Sequence, residues 1–374
     1  MNVDPVPSPQ IALLRRCAVI EPDHDACTAI RDLVSDLGNW QDLISCAEKH
    51  GLSNLLHSHL QSLGIEIPDI ARQQLLSLRV RHRRANQARI KAMQEIVDVL
   101  SRHQIESALL KGAALIHVLY PSPELRPMSD IDVLVHADQA QHAQQCLRDI
   151  GYFAEQQKTG YLSEHHHLPI ASRSLDGISI HVEIHKDALS GDVTESIRLD
   201  SLSSPLVDFE IEGIQCWTLG HIDMLRHLCH HTLEPIEEIK LGAIADLYGY
   251  AARYRDELDI DSIDSRYPFV TNMFSLLHYV SPLPRNLRDW VAPPTAPPPR
   301  GVGYGFTPMS QIIANEKKLL SRVQKLMQAP DWWLHGYYNV PPNSSLLSTK
   351  LLHHPLRVAR WLIRRIRAKS KSEP

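Results

Sequence analysis

The 374-residue chain lacks an excess of charge of either sign. Lys and Arg number 39 against 43 Asp and Glu, so the formal net charge is −4. A charge this close to balance creates no global field that attracts nucleic acid or an anionic membrane. The basic run at residues 79–84 has no interleaved aromatic residues for base stacking, and we interpret it as a solvated helix face rather than a nucleic-acid contact. The chain therefore carries no strong nucleic-acid signal.

Long apolar runs and paired cysteines are missing as well. No stretch reaches the roughly 18–20 apolar residues of a membrane span, and residues 1–10 lack the charged-then-apolar pattern of a secretory signal. The six cysteines have no pairwise spacing of a disulfide framework. We expect a cytoplasmic globular protein with reduced thiols. Histidine is abundant instead, with 22 copies, so a single histidine carries little weight on its own.

Hydrophobic periodicity divides the chain into four parts. Helical spacing dominates residues 1–104, strands and helices mix in residues 105–215, and helical spacing returns in residues 216–290. Residues 291–374 hold a proline-rich linker and a helical tail that ends in a basic amphipathic helix. We expect an α+β protein with a small mixed sheet between two helical regions. We expect the tail helix to be solvated and docked through Trp361, with an acidic partner or a membrane surface as alternatives.

The first candidate functional motif is a junction between a strand and a helix that contains a lysine and a glycine. Residues 107–110 have the pattern of an apolar strand and residues 113–120 that of a helix, with Lys111 and Gly112 between them. Gly112 carries no side chain where backbone N–H groups at a helix start approach phosphate oxygens. In this interpretation Lys111 neutralises phosphate charge; the alternative is that it ends the strand with its ammonium in solvent.

Two aspartates follow at the head of the next strand. Asp130 and Asp132 lie two residues apart at the start of the apolar strand 131–135, so they share one face. Burying two unpaired like charges there is costly. The pattern therefore predicts a cation at this position.

A third acid lies on a strand with strict alternation. The strand 178–185 follows an Asp-Gly turn at 176–177 and carries Glu183 on its polar face. If this strand neighbours strand 131–135, three carboxylates meet and suit a two-metal phosphoryl- or nucleotidyl-transfer site. Oxygen ligands favour Mg²⁺ or Mn²⁺ over zinc.

These motifs resemble the nucleotidyltransferase superfamily with the DNA polymerase β-like fold, and more closely its bacterial uncharacterised nucleotidyltransferase family. The resemblance covers roughly residues 25–254. It rests on Leu110-Lys-Gly-Ala-Ala-Leu, Arg126-Pro-Met-Ser-Asp-Ile-Asp-Val-Leu-Val, His165-His-His-Leu-Pro and Val182-Glu-Ile-His. It implies that Asp130 and Asp132 bind both metal ions, and that Glu183 shares the second ion and helps to deprotonate the acceptor hydroxyl.

The implied reaction is attack on the α-phosphate of an NTP with loss of pyrophosphate. The NTP is then a co-substrate, and two Mg²⁺ or Mn²⁺ ions are the cofactors. A sugar, a peptide, a protein side chain or an RNA end stays open as the acceptor, although the weak overall charge argues against long nucleic acid. Two other functions stay open: a catalytically silent nucleotide-binding or scaffold protein, and a metal-dependent phosphohydrolase.

Other polar residues are candidates for binding the NTP. By the resemblance these are Lys111, Gly112, Arg126 and Ser129. For Arg126 the alternative is a structural partnership with Asp130.

Several histidines are candidates for contacting substrate. His181 and His185 share the strand face of Glu183, so they border the predicted site or are ordinary strand residues. His167 belongs to the loop 165–167, which we expect to pack near the site; a zinc site there is disfavoured because adjacent residues of an extended chain point apart. For a further set we expect satisfied packing between helices, with a second cluster as the alternative, and with Asp246 either facing the site or capping a neighbouring element; the set comprises His227, His230, His231 and Asp246.

Overall fold

The structure is a computed structural model that describes residues 7–155, 165–189, 195–232, 239–299 and 318–370. It divides into two compact units. One comprises Pro9–His231 and Leu241–Ile260; the other comprises Met1–Ser8, Thr232–Lys240 and Asp261–Pro374. The four-part domain division inferred from the sequence stays a prediction.

The first unit begins with five helices. They are α1 (Pro9–Cys17), α2 (His24–Ser35), α3 (Trp40–Lys49), α4 (Ser53–Ser62) and α5 (Asp69–Arg102). The long helix α5 buries Ala92, Ile96 and Leu100, which recur every fourth residue along one face. Its opposite, arginine-rich side is polar.

A seven-stranded mixed sheet forms the centre of this unit. The strands are β1 (Ser107–Leu109), β2 (Ile131–Val135), β3 (Phe153–Ala154), β4 (Ala171–Leu175), β5 (Ile178–His185), β6 (Val207–Ile211) and β7 (Ile214–Thr218). Their order is β3-β4-β5-β2-β1-β7-β6. β2 runs parallel to β5, and β1 runs parallel to β7. The predicted α+β fold with a mixed sheet is confirmed.

Apart from Thr232, four more α-helices of the described residues lie in the first unit. They are α6 (Lys111–Val118), α7 (Ala140–Asp149), α8 (His221–Thr232) and α9 (Leu241–Arg253). The strands predicted at 131–135 and 178–185 have the predicted bounds. The helix predicted to start at residue 113 starts instead at Lys111, so Lys111 and Gly112 form its first turn rather than a loop before it.

The second unit is helical in its described part. Its helices are α10 (Ile260–Arg266, starting at the unit boundary), α11 (Pro268–Leu277), α12 (Arg285–Arg288), α13 (Leu319–Met327), α14 (Asp331–Tyr337), a π-helix (Thr349–His353) and α15 (His354–Ser370). A small core contains Ala329, Leu334 and Leu346. The predicted tail helix corresponds to α15, but the side chain of Trp361 lies outside the described residues. Across the described ranges, no helix combines the length and apolar character needed to cross a bilayer.

Candidate active site

The pairing of β2 with β5 brings two of the predicted acids together. The strands are parallel neighbours, and their register sets Asp132 opposite Glu183. Neighbouring strands lie about 4.8 Å apart, so side chains in register share one volume in front of the sheet. The condition stated from the sequence, that these two strands are neighbours, is therefore met.

Lys111 and His185 converge on the Asp132 carboxylate. Asp132 Oδ1 accepts hydrogen bonds from Lys111 Nζ at 3.2 Å and from His185 Nε2 at 2.8 Å. Burial acts to raise the pKa of Asp132, but the charge of Lys111 and the hydrogen bond from His185 outweigh it and hold the pKa well below its usual range. Asp132 is therefore ionised in the folded protein.

The other two acids have different surroundings. The hydrogen bond from His185, whose Nε2 lies 3.4 Å from Glu183 Oε2, lowers the pKa of Glu183 against the opposing effect of burial. Asp130 accepts a hydrogen bond from Ser129 Oγ at 3.0 Å. Burial and the charge of Asp132 raise the pKa of Asp130. Crowding of this kind favours a cation that relieves the repulsion.

The backbone of Lys111 adopts an uncommon conformation. Its φ of 45° lies in the left-handed region that residues other than glycine seldom occupy. The chain on both sides is fixed, because Leu110 N–H donates to the Asp132 carbonyl at 3.0 Å and Thr218 Oγ1 donates to the Leu109 carbonyl at 2.7 Å. Burial acts to lower the pKa of Lys111, but the charge of Asp132 outweighs it and raises the pKa. The β1–α6 junction thus delivers an ammonium group to the acids.

Gly112 makes room for an arginine. A Cβ on this residue would lie 2.2 Å from Arg126 Nη1 and 2.8 Å from Met128 Cγ. Position 112 therefore requires glycine because the guanidinium group of Arg126 occupies the space that a Cβ would need. Contact between the Gly112 backbone and a phosphate stays a prediction.

Arg126 is held by Asp246 on α9. Its Nε lies 2.9 Å and 3.0 Å from the two carboxylate oxygens, and its Nη2 lies 2.7 Å from Oδ2. The Tyr120 hydroxyl donates to Oδ1 of the same carboxylate at 2.7 Å. Burial acts to lower the pKa of Arg126, but Asp246 raises it above its usual value. The alternative considered from the sequence, a partnership with Asp130, names the wrong carboxylate, because the guanidinium group pairs with a buried aspartate 120 residues away.

The polar side of α5 holds the loop that precedes β2. Glu124 Oε1 lies 2.7 Å from Arg79 Nη2 and 3.0 Å from Arg83 Nη2. Arg89 Nη2 donates to the Ser129 carbonyl at 3.2 Å. The interpretation of the basic run as a solvated face is incomplete, because two of its arginines fix this loop. Ser129 is exposed, and its hydroxyl donates to the adjacent aspartate.

The histidine loop lies beside the acids, as expected. Leu168 N–H donates to the Ile184 carbonyl at 2.8 Å, and His167 forms a β-bridge with His185. The ring centroids of His166 and His167 each lie 5.5 Å from that of His185. Burial and the charge of His185 lower the pKa of His166 to about 4, so its ring is neutral near pH 7.

His181 is engaged elsewhere. Its Nδ1 lies 2.9 Å from Ser172 Oγ, and its Nε2 lies 3.2 Å from Ser179 Oγ. Both ring nitrogens are used within the β4–β5 hairpin. The structure therefore does not bring His181 into the group around Asp132.

Two histidines on α8, His227 and His231, experience the charges of Lys111 and Asp132. His227 is 1% exposed, and neither of its ring nitrogens has a hydrogen-bond partner among the described residues. Burial lowers its pKa well below the usual range, and the charge of Lys111 adds to this effect. Burial also lowers the pKa of His231, to about 3. The expectation of satisfied packing is wrong for His227; its i,i+4 spacing to His231 was the one available signal of a shared face.

The acids and His185 fit a divalent cation. Donor atoms of Asp132, Glu183 and His185 all lie within 4.8 Å of one another. Carboxylate oxygens suit Mg²⁺ and Mn²⁺, whereas His185 Nε2 carries the proton that it donates to Asp132 and so orients that carboxylate. Asp130, directly before β2, is not among these clustered donors; burial, followed by the charge of Asp132, raises its pKa.

Acids paired across adjacent strands of a mixed sheet, next to a strand–Lys–Gly–helix junction, are the arrangement expected of a nucleotidyltransferase. The chain belongs to the family described as "Uncharacterised nucleotidyltransferase", whose model matches residues 36–269. The family assignment expected from the motifs is confirmed.

Among solved structures, the chain is similar to an antigenic nucleotidyltransferase-like protein from Paracoccidioides brasiliensis. The identity is 13%, the match covers 50% of this chain and 93% of that chain, and the TM-score is 0.33. No curated protein matches this chain.

Proposed function

We propose that the chain is a metal-dependent nucleotidyltransferase that moves a nucleoside monophosphate from an NTP to an acceptor. The acceptor is a hydroxyl or phosphate of a small molecule, peptide or protein. The observation that carries the proposal is the β2–β5 register, which sets Asp132 against Glu183 with Asp130 two residues before it. Membership of the nucleotidyltransferase family supports the same class of reaction.

The acids are the proposed metal ligands. Asp130, Asp132 and Glu183 hold Mg²⁺ or Mn²⁺, with two ions in the arrangement that we expect. Ions held by these residues would neutralise triphosphate charge and would stabilise the charge that develops at the α-phosphate. His185 donates to Asp132 and lies beside Glu183, so it orients both carboxylates, as outer partners of metal ligands commonly do.

The reaction balances as a displacement at phosphorus. An acceptor oxygen forms a bond to the α-phosphorus, the bond from that phosphorus to the bridging oxygen breaks, and pyrophosphate leaves with the bridging oxygen. For a hydroxyl acceptor, Glu183 takes the proton, which its lowered pKa permits because the carboxylate is ionised at neutral pH.

Lys111 is the proposed phosphate ligand of the chain. Its ammonium already lies within hydrogen-bonding distance of Asp132 and is held there by the β1–α6 junction. Arg126 is less suited to this task, because Asp246 takes up its guanidinium. The buried, neutral ring of His227 offers one donor and one acceptor for a substrate group.

Thermal unfolding with a non-hydrolysable NTP and Mn²⁺ or Mg²⁺ tests the binding part of the proposal. We expect stabilisation that needs both NTP and metal, about 2.7 kcal/mol at 100 times the Kd. Asp132→Asn and Glu183→Gln should abolish the metal-dependent part. The matched control Asp208→Asn, at an exposed position of β6, should leave it unchanged.

Two results contradict the proposal. One is NTP-dependent stabilisation that survives unchanged in Asp132→Asn. The other is release of orthophosphate in place of pyrophosphate from a bound NTP, which identifies a phosphohydrolase.

A further inference from the structure

A second group of metal-binding side chains lies where α5 ends beside α7. His103, His142 and Cys146 have donor atoms that all lie within 4.8 Å of one another. None of the three takes part in the proposed nucleotidyltransferase site. The group also differs in chemistry, because it offers two imidazoles and a thiol and no carboxylate.

The backbone of His103 is fixed by the end of α5. Its N–H donates to the carbonyls of Leu100 and Val99 at 3.1 Å and 3.3 Å. Gln104 then adopts a φ of 57°, and Ile105 N–H donates back to the Leu100 carbonyl at 3.0 Å. This is a hydrogen-bonded helix end with a left-handed residue. The imidazole of His103 therefore projects from a rigid position.

The other two donors share one face of α7. His142 and Cys146 are i,i+4 neighbours within Ala140–Asp149, so their side chains lie one turn apart. The rings of His103 and His142 are edge-on, with centroids 5.3 Å apart and planes at 89°. Cys146 is 1% exposed, whereas both histidines are exposed. The thiol thus lies at the base of a site whose imidazoles face solvent.

The distances are compatible with a tetrahedral ion after small side-chain rotations. Zinc binds nitrogen at about 2.0–2.1 Å and sulfur at about 2.3 Å, so donors in a tetrahedral site are roughly 3.3–3.8 Å apart. Exposed imidazoles can close a gap of about 1 Å by rotating about χ1 and χ2. Thiolate with imidazole selects zinc over Mg²⁺, and three protein ligands leave a fourth position for water.

We propose that His103, His142 and Cys146 form a zinc site that links the end of α5 to α7. On binding, the Cys146 thiol loses its proton to solvent and the thiolate coordinates the ion. The zinc site would join α5, which holds the loop before β2, to α7, which follows β2. Zinc bound there stabilises the scaffold of the catalytic sheet without entering the reaction.

Cobalt substitution in the untagged full chain tests this site. We expect one Co²⁺ per chain to give a thiolate-to-cobalt charge-transfer absorption, which one equivalent of Zn²⁺ displaces. Cys146→Ser should abolish the band. His142→Ala, at an exposed position that leaves folding intact, should weaken Co²⁺ binding at least about tenfold, the loss that even an outer partner of a ligand commonly causes.

Two controls separate this site from others. Cys27→Ser, in α2, should keep the band, because this control removes a thiol away from the proposed site. Asp132→Asn should keep it as well, which separates it from the nucleotidyltransferase site. Absence of the band in the wild type, or a band that survives in Cys146→Ser or is unchanged in His142→Ala, overturns the proposal.

Discussion

Asp246→Asn tests whether Arg126 is a structural anchor or a phosphate ligand. The substitution removes one charge of a pair whose side chains are 16% and 2% exposed, and it keeps the size of the side chain. Arg126 then stays buried beside a neutral amide. Breaking a buried ion pair by removing one partner typically costs about 3–5 kcal/mol, because the remaining charge is uncompensated. We expect a loss of this size in the free energy of unfolding of the ligand-free protein.

Chemical denaturation of the single and double variants gives the measurement. Arg126→Gln and Asp246→Asn should each destabilise the protein, and the double variant should lose less than the sum of the two, by at least about 1 kcal/mol. The control is Asp98→Asn, which removes an exposed i,i+4 pair with Arg102 on α5 and should cost less than about 0.5 kcal/mol.

The opposite pattern refutes the anchor. Substitutions that break no buried contact usually change the free energy of unfolding by less than about 0.5 kcal/mol. If Arg126→Gln stays within that range but weakens NTP binding, the guanidinium group binds the substrate and is not a structural anchor. The same holds if the two substitutions are additive.

Three further predictions concern the surroundings of the site. The hydrogen bond with Arg83 chiefly lowers the pKa of Glu124 to about 2, so the carboxylate contributes stability above about pH 4.5 that is lost as the pH falls towards 2. The shift corresponds to at most about 3 kcal/mol, and solvent screening at Arg83, whose side chain is 53% exposed, reduces this to about 1–2 kcal/mol. Glu124→Gln should lose that amount of unfolding free energy in urea at pH 7. Gly112→Ala forces a methyl group against Arg126 and should cost about 1–3 kcal/mol by the same measurement. His227→Phe replaces the imidazole with an apolar aromatic ring and so removes two unpartnered nitrogens. It should leave unfolding unchanged or stabilise the protein. Nucleotidyl transfer should fall at least about tenfold, since such a group holding a substrate contributes about 1.4 kcal/mol or more.

Each of the three has its own check. Glu48→Gln, on α3, breaks an exposed pair with Arg81 of α5 and should cost under about 0.5 kcal/mol, with no acid dependence of the size expected for Glu124. Gly38→Ala adds a methyl group with nothing within 4 Å and should not destabilise the protein. A fall in stability that parallels the fall in activity of His227→Phe counts against a substrate-binding role for that ring.

The strands that bear the acids were predictable from local pattern. β2 is a continuous apolar run broken by Asp132, and β5 alternates strictly, which fixes its faces because the side-chain period of a strand is two. The Asp176-Gly177 turn adopts positive φ at both residues, as an Asp-Gly hairpin signal predicts.

The hairpin of β6 and β7 was not predicted in the same way. Glu212 and Gly213 also adopt positive φ, but glutamate is a weak signal for a left-handed turn residue. Local chemistry therefore predicts a turn only where the residues that favour it are present.

Partnerships between distant parts of the chain could not be predicted. Arg126 and Asp246 are 120 residues apart, and their pairing depends on where α9 packs. The need for glycine at position 112 follows from that pairing, since the arginine occupies the space of its Cβ. The unpartnered nitrogens of His227 likewise become visible only once α8 is placed near Lys111. An i,i+4 histidine pair on a helix is equally compatible with packing, so spacing alone cannot separate the two roles.

Transfer of a labelled phosphate tests the central claim most directly. The chain is incubated with NTPs labelled at the α- or the γ-phosphate, with Mg²⁺ or Mn²⁺, against a panel of sugars, peptides and the protein itself. We predict that α-label becomes attached to an acceptor while γ-label leaves as pyrophosphate, and that Asp132→Asn and Glu183→Gln lose both. Attachment of γ-label, release of orthophosphate, no α-label transfer across the panel, or equal transfer by Asp132→Asn contradicts the account.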